Sequence, residues 1–234
     1  MSTRRVRDIN YQLIPGSDRK TTDIIIERNG SVVVRPPQNY SPEKVDAVVE
    51  SKRMWIYRNL AEWRDLNATA VMREWVNGET FLYLGRAYRL FIMGEQKEAL
   101  KLKEGRFCLN RNIIDKGTNA AKQAFEQYYS DKGSKRIIER VSFYAPKAGV
   151  SPSSIAVKDM GYRWASCGKG NDLGFHWKCM MAPLKIIDYI VVHELCHMHY
   201  RNHSEAFWNE VDKVMPDYRE RKDWLRLNGA NLDL

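Results

Sequence analysis

The residues best suited to chemistry are two histidines and a glutamate in one short segment, His193-Glu194-Leu195-Cys196-His197. On a helix, side chains four apart share one face with Cβ atoms about 5–6 Å apart, so both imidazoles can reach one ion at zinc–nitrogen distances of roughly 2.0–2.1 Å. Glu194 lies one step round the helix and can take a proton from a water in the fourth position of that ion. The segment therefore predicts a metal site with Glu194 as general base, as in H-E-x-x-H metalloproteases.

The apolar surroundings of this segment bear on whether it binds a metal. In the alternative interpretation, His193 and His197 are core histidines with hydrogen-bond partners, because short patterns recur by chance. The sequence from Leu184 to Tyr200 is apolar on nearly every side, which is typical of a helix buried in a core. Three ionisable side chains on such a helix are costly to bury without partners, and a bound cation supplies the compensation. The context therefore favours a metal.

A third ligand must come from beyond this helix, and His203 is the best candidate. If the helix ran straight on, its turn of about 100° per residue would carry His203 well away from the first pair, so the chain must leave the helix first. Asn202 can adopt the left-handed conformation that ends a helix, and Ser204 can cap the next one. We therefore predict Zn²⁺ as the cofactor, held by His193, His197 and His203.

Other side chains near the motif are weaker candidates for the metal shell. His199 follows the second histidine by two and points to another side of the helix, which predicts a role at the surface or beside the metal shell. Glu205 and Glu210 are expected on the next helix, where Glu205 falls in the first turn and favours the helix dipole. His176 is a lone histidine in a predicted strand; a structural role is the more common one there, and a place beside the metal shell is the alternative.

The elements of the first half follow from hydrophobic periodicity and turn residues. A β-hairpin is predicted first, with Asn-Gly in its turn, from Asp23–Glu27, Arg28-Asn29-Gly30 and Ser31–Arg35. A helix capped by Ser41, with Pro42 at its first position, is expected to run to about Asp65. Glycines then separate a predicted meander of four strands, Thr80–Leu84, Tyr88–Met93, Leu100–Lys103 and Phe107–Leu109.

The second half is predicted to be richer in helices. A helical stretch from about Asn119 to Tyr144, which Gly133 could interrupt, precedes three predicted strands, Ile155–Lys158, Tyr162–Cys167 and Asp172–Trp177. One edge of the last two strands could hold an extended peptide, an ordinary packed hairpin being the alternative. We therefore predict an α+β fold with a mostly β N-terminal region, residues 1–113, and a C-terminal domain, residues 114–234, whose active-site helix packs on a short sheet.

The length and composition are those of a chain that can form its own hydrophobic core. Its 234 residues are 44% apolar and 29% charged, as in globular proteins. No apolar run approaches the roughly 18 residues of a membrane span and no signal core follows the basic start, so we expect no membrane partner and a cytoplasmic location. The net charge of +9 makes a nucleic acid a candidate partner, dispersed solvated charge being the alternative. The cysteines lack a Cys-x-x-Cys pair and are expected as thiols: Cys108, Cys167, Cys179 and Cys196.

The sequence resembles the YgjP-like metallopeptidase family in three segments. The first is His193-Glu-Leu-Cys-His197-Met-His-Tyr-Arg-Asn-His203-Ser-Glu-Ala-Phe207-Trp208, and the others are Arg163-Trp-Ala-Ser-Cys167 and Phe81-Leu-Tyr-Leu-Gly85-Arg-Ala-Tyr-Arg-Leu90. The histidine segment is also similar to Wss-type (WLM) proteases and, more distantly, to SprT-like ones, which act on proteins crosslinked to DNA. The resemblance implies a small zincin-like domain from about residue 114, with the ligands and base named above. Ala165 stands where the family has glycine and adds a methyl close to the expected cleft.

Three functions follow from these observations. The first is a zinc-dependent metallopeptidase (a hydrolase) that acts on a protein or peptide substrate, including proteins associated with nucleic acid. The second is a metal-dependent hydrolase of nucleotides or other phosphate anhydrides, suggested by the basic balance but without a Gly-rich phosphate loop or a carboxylate cluster for Mg²⁺. The third is a non-catalytic, zinc-containing nucleic-acid-binding module. Glu194 argues against the third, because a structural site needs no base and usually closes its fourth position.

Overall fold

The strands of the chain lie mainly in its first half, and the longest helix and most of the helices lie in its second half, which confirms the α+β class. The computed structural model describes residues 2–18, 20–27, 30–67, 73–94, 96–161 and 163–234. Backbone contacts divide the chain into two units, Met1–Ala70 and Val71–Leu234. The expected boundary between residues 113 and 114 lies inside the second unit, and the division into a β-rich region, 1–113, and a metallopeptidase domain, 114–234, stays a prediction.

The first unit is a four-stranded sheet with two helices. Its sheet has the order β1-β2-β4-β3. The elements are β1 (Ser2–Val6), β2 (Ile9–Leu13), β3 (Asp23–Ile26), β4 (Val32–Arg35), α1 (Pro42–Ser51) and α2 (Arg53–Asn67). The antiparallel pairing of β3 with β4 confirms the predicted hairpin strands, whereas the turn residues Arg28 and Asn29 lie outside the described residues. β1 was not predicted, because a strand rich in arginine lacks the apolar alternation that signals one.

The single helix predicted after Ser41 is two helices. Ser41 caps α1 as expected, its Oγ accepting a hydrogen bond from the Lys44 N–H at 3.4 Å, and Pro42 occupies the first position. At Lys52 the backbone leaves the helical region, with φ −101° and ψ 8°. Its N–H is shared between the carbonyls of Val48 and Val49, so the regular ladder stops there and α2 begins anew.

The second unit contains two sheets and five helices, including the longest helix of the described residues. Its strands are β5 (Thr80–Tyr83), β6 (Arg86–Met93), β7 (Leu100–Lys103), β8 (Arg106–Asn110), β9 (Ser154–Lys158), β10 (Ala165–Cys167) and β11 (Asp172–His176). Its helices are α3 (Arg111–Ile114), α4 (Thr118–Tyr144), α5 (Leu184–Cys196), α6 (Glu205–Val214) and α7 (Tyr218–Asn228), with a 3-10 turn at Trp177–Met181.

The strand order of the second unit corrects the predicted meander. The first sheet has the order β5-β6-β8-β7, and β6 pairs with β8 in parallel. β8 therefore lies between β6 and β7, an arrangement that short connections between successive strands do not suggest. The second sheet has the order β10-β11-β9, in which β10 and β11 form the predicted antiparallel hairpin. Tyr162, expected to begin that hairpin, lies outside the described residues, and β10 begins at Ala165.

α4 runs through the second unit without a break at Gly133. Its buried residues recur about once per turn, at Ala121, Phe125, Tyr129, Gly133, Ile137, Val141 and Tyr144. A Cβ at Gly133 would lie 3.1 Å from Met180 Cγ and 3.2 Å from Val157 Cγ1, so the glycine permits a close approach of the helix and does not interrupt it. No helix in the described part of the chain, α4 included, has both the length and the apolar character that a bilayer span requires.

α5 is the central helix of the second unit and is buried on nearly every side, as predicted. It carries two buried carboxylates, Asp188 and Glu194. The oxygens of Asp188 accept hydrogen bonds from Arg140 of α4 at 2.6 and 3.0 Å. The Tyr144 hydroxyl donates a further bond to Asp188 at 3.2 Å. These polar contacts fix the register of α5 against α4, and so the direction in which its last turn points.

Candidate metal centre

Three histidines converge where α5 ends and α6 begins. His193 lies in the last turn of α5, His197 directly follows the helix, and His203 ends the connector to α6. The Nε2 atom of His193 lies 3.2 Å from Nε2 of His197 and 3.0 Å from Nε2 of His203. One ligand atom from each residue lies within 4.8 Å of the other two. The structure thus brings together all three residues predicted as ligands.

Hydrogen bonding and burial prepare these rings to bind a cation. His197 Nδ1 lies 2.9 Å from the Tyr200 carbonyl, which can only accept, so Nδ1 carries the proton and the Nε2 lone pair faces the cluster. Burial, followed by the charges of the neighbouring histidines, holds the pKa of His193 well below its usual value. Burial also lowers the pKa of His197 and of His203. The rings are therefore neutral near pH 7, the form that binds a metal.

The end of α5 differs from the sequence-based expectation. The helix ends at Cys196, four residues before Tyr200. The N–H groups of His199 and Tyr200 both bond the Cys196 carbonyl at 3.1 Å, which tightens the last turn and redirects the chain. The prediction of a left-handed Asn202 was wrong, because this residue is not among the described non-glycine residues with positive φ. The turn is complete before the chain reaches Asn202, so a left-handed residue is not needed there.

Arg201 attaches the connector to the turn between β10 and β11. Its Nη1 donates to the Gly168 carbonyl at 2.7 Å and to Cys167 Sγ at 3.1 Å, and its Nη2 donates to Asn171 Oδ1 at 2.5 Å. Because Arg201 lies two residues before His203, these bonds restrict the segment that places the third imidazole. Sequence reasoning missed this residue, since a single arginine in a polar connector is indistinguishable from surface charge.

Two aromatic side chains of α6 pack against the histidine rings. Ser204 caps this helix as predicted, its Oγ accepting from the Phe207 N–H at 3.4 Å, and so fixes where the aromatic pair lies. Phe207 stacks on His197 with ring centroids 4.5 Å apart, and Trp208 stacks on His203 at 5.7 Å. The sequence signal for this packing was the Phe-Trp pair, which lies one turn into the capped helix. These rings hold the imidazole planes and keep water from their outer faces.

Glu194 is buried beside the cluster, next to an apolar cavity. Its side chain is 6% exposed, and burial raises the pKa of its carboxyl to about 8, while the nearby Arg163 guanidinium acts in the opposite direction. A cavity of about 290 Å³ opens against Glu194 and His193, with a wall made chiefly of Trp164, Ala165, Tyr189, Ile190 and Leu225. A carboxylate beside a largely apolar cavity is arranged to exchange a proton with a bound molecule.

The remaining residues considered from the sequence lie outside the histidine cluster. His199 Nε2 lies 2.8 Å from the Ala148 carbonyl and forms a hydrogen bond with it, so this nitrogen is not directed at the cluster. His176 is 3% exposed, and its Nδ1 accepts a backbone N–H at 3.1 Å in the 3-10 turn after β11, a structural role. Glu205 and Glu210 both lie on α6 and do not join the cluster. The cysteines are free thiols, as expected: Cys108, Cys167, Cys179 and Cys196.

The chemistry and spacing of the three histidines fit a zinc ion. Neutral imidazoles are preferred zinc ligands, and tetrahedral bonds of 2.0–2.1 Å separate two ligand nitrogens by about 3.3 Å. The Nε2 separations of 3.0 and 3.2 Å come close to that value. An ion held by these three residues alone would keep one position open, which is characteristic of catalytic and not of structural zinc sites.

Known proteins resemble this chain to different extents. Among curated proteins, none matches the chain. The crystal structure of the metallopeptidase zymogen of Pyrococcus abyssi abylysin aligns with 37% of this chain and 89% of its own, at 22% sequence identity and a TM-score of 0.35. The family model described as "YgjP-like, metallopeptidase domain" matches residues 20–228. Because that match spans most of the sequence, the chain belongs to the YgjP-like metallopeptidase family.

Proposed function

We propose that this metallopeptidase binds one zinc ion through His193, His197 and His203 and hydrolyses peptide bonds with Glu194 as its general base. The observation that carries the proposal is the convergence of three Nε2 atoms at 3.0 and 3.2 Å beside a buried carboxylate. A cation would replace the water that the neutral imidazoles lose on burial, and the fourth position of that ion would have room for a water.

Glu194 performs the proton transfers of the proposed reaction. When bound, zinc supplies a Lewis acid for the scissile carbonyl and lowers the pKa of a water toward roughly 7. The Glu194 carboxylate accepts the proton of the attacking water and later delivers it to the nitrogen of the leaving amine. Burial raises the pKa of this carboxyl, and the Arg163 guanidinium acts in the opposite direction by favouring its ionised form.

The surroundings of Glu194 support an extended substrate with a bulky apolar side chain near the scissile bond. The cavity of about 290 Å³ is lined mainly by aromatic and aliphatic groups and can hold such a side chain. β10 is an edge strand of its sheet, so its free backbone groups can pair with an extended peptide. Ala165 belongs both to this strand and to the cavity wall, and its methyl narrows the space where they meet.

The test compares a Glu194→Gln variant with the parent on several substrates. Zinc-loaded protein is incubated with an unfolded protein, with a DNA-bound protein and with nucleoside triphosphates. Glu194→Gln should keep its fold and its zinc while losing peptide hydrolysis, because the amide preserves size but cannot accept the proton. Glu205→Gln is the matched control, since Glu205 lies on α6 outside the cluster, and it should cleave like the parent.

Two results would contradict the proposal. Equal peptide cleavage by parent and Glu194→Gln would remove this residue from the mechanism. Loss of triphosphate hydrolysis in Glu194→Gln, with no peptide cleavage by the parent, would assign the site to phosphate anhydrides instead. Elemental analysis completes the test: a His193→Ala, His197→Ala double variant should lose the zinc, and undiminished zinc in that variant would place the metal elsewhere.

A further inference from the structure

The sheet formed by β5 to β8 has one buried face and one partly exposed face. The buried face presents Phe81, Leu90, Phe107 and Leu109 to the core of the second unit. Side chains alternate along each strand, so the residues between them lie on the opposite face. Arg89 and Phe91 of β6 and Arg106 of β8 are exposed there. This outer face is defined here by Arg89, Phe91, Lys101, Lys103 and Arg106; Lys103 is also exposed, Lys101 is half-buried, and Cys108 between Phe91 and Lys101 is buried.

Three cations form a row across the outer face. Arg89 of β6 is the register partner of Arg106 of β8, and Arg106 is the register partner of Lys103 of β7. Like charges directly opposite each other on neighbouring strands destabilise a sheet. Lys103 has a neighbouring acid, Glu104, at 3.4 Å, but neither arginine forms an ion pair within the described part of the chain. The row therefore has a cost that a bound anion would offset.

Positive charge is concentrated in the segment that forms this sheet. Residues 80–111 hold seven Lys or Arg and three Glu, a surplus of four in a chain whose net charge is +9. Lys101 extends the row toward the other end of β7, where Glu98 lies 3.3 Å from its Nζ. Glu98 and Glu104 thus form ion pairs with the two lysines, and the arginines can contact an external anion.

An aromatic ring lies among these cations. Phe91 is 41% exposed, although its neighbours in the strand, Leu90 and Ile92, are more deeply buried. The guanidinium of Arg106 lies 6.0 Å from the centroid of the Phe91 ring, which places both side chains on the same face. An exposed ring between arginines offers a planar surface on which a base can stack while the cations contact phosphates.

We propose that the outer face of the β5–β8 sheet binds single-stranded nucleic acid. Arg89 and Arg106, for which the described residues supply no ion pair, can each contact a phosphate in the bidentate manner that guanidinium favours. An acidic peptide would satisfy the charges but would need an additional apolar side chain to contact Phe91, whereas every nucleotide carries a base beside its phosphate, and the ring therefore favours a nucleic acid. Base pairs of a duplex are already stacked, so a single strand can use Phe91 and a duplex cannot. None of its residues belongs to the histidine cluster, and binding there does not depend on the proposed peptidase mechanism.

The experiment measures binding of a fluorescent 20-nucleotide oligo-dT to the full chain by anisotropy at several NaCl concentrations. Each phosphate contact on a single strand contributes about 0.7 to the slope of log affinity against log salt. Arg89→Ala with Arg106→Ala should therefore reduce the slope by about 1.4. Phe91→Ala should leave the slope unchanged and weaken binding by roughly tenfold, because stacking on a base does not release counterions. Lys213→Ala with Arg219→Ala is the matched control, since it removes two exposed cations from another surface.

The control variant and the alternative ligands decide the outcome. In support, the control keeps the parent's slope, a duplex of the same length binds more weakly, and circular dichroism shows all variants folded. Three results would overturn the proposal: no oligo-dT binding at low salt, an arginine variant that behaves like the control, or polyglutamate that binds as tightly as oligo-dT and depends on the same residues. The last result would assign the face to an acidic protein.

Discussion

Replacing Arg201 with alanine should weaken zinc binding about tenfold, although Arg201 is not a ligand. The reason is that its guanidinium fixes the connector on which His203 lies, through bonds to Gly168, Cys167 and Asn171. Zinc needs all three imidazoles in place at once. Any loss of order in the connector therefore reduces the fraction of molecules that can bind the metal with full affinity.

The magnitude follows from the bonds that the variant loses. A hydrogen bond at an exposed site contributes about 0.5–1 kcal/mol net, and a thiol is a weak acceptor. The two bonds to oxygen, at 2.7 and 2.5 Å, are the stronger ones. Together they contribute about 1–2 kcal/mol, which corresponds to roughly 5–30-fold in affinity. Arg201→Lys keeps the charge but not the fork of donors, so it should fall between the parent and Arg201→Ala.

Zinc affinity is measured by competition with a chromophoric chelator at fixed pH. His203→Ala should lose more affinity than Arg201→Ala, because it removes the ligand itself. Arg219→Ala, which removes an exposed arginine paired with Asp212, should bind zinc like the parent. If Arg201→Ala also binds zinc like the parent while His203→Ala does not, the connector is held by its own turns and the reasoning about Arg201 is wrong.

Three further predictions concern stability and substrate choice. Asp188→Ala should lower the free energy of unfolding by about 2–3 kcal/mol in urea titrations. This is less than the roughly 3–5 kcal/mol expected for a fully buried ion pair, because the Arg140 side chain is 23% exposed. Adding Arg140→Met should recover part of the loss, and no recovery would argue against an unpaired charge as the cause. The bond from Arg4 lowers the pKa of Asp46, so the stabilisation that this carboxylate provides is present above the usual carboxyl pKa and is lost as pH falls through the lowered value. The parent and Asp46→Asn should therefore differ in stability at pH 6 and converge in strong acid, whereas a constant difference would refute this. Leu225→Trp should fill the cavity and reduce cleavage beside large apolar side chains at least tenfold relative to cleavage beside alanine, measured with paired peptides.

The sequence by itself was sufficient where the chemistry depends on local geometry. His193, His197 and Glu194 lie on a helical turn whose dimensions are the same in every protein, so their spacing alone predicted that the two imidazoles would meet. The helix starts at Ser41 and Ser204 were predictable for the same reason, because a capping side chain bonds an N–H only three residues away. The β3–β4 hairpin joins neighbouring segments and was also predictable.

Tertiary structure decided the features that depend on residues far apart in the chain. Gly133 looked like a possible break in a helix, but it is the point where α4 passes close to Met180. The parallel pairing of β6 with β8 places Arg89 opposite Arg106, and no local pattern specifies that register. Arg201 acquires its role only because folding brings the β10–β11 turn to the connector, 30 to 34 residues away in sequence. Such contacts form when long loops close around a common core, and their partners are selected by packing and not by the propensities of the residues themselves.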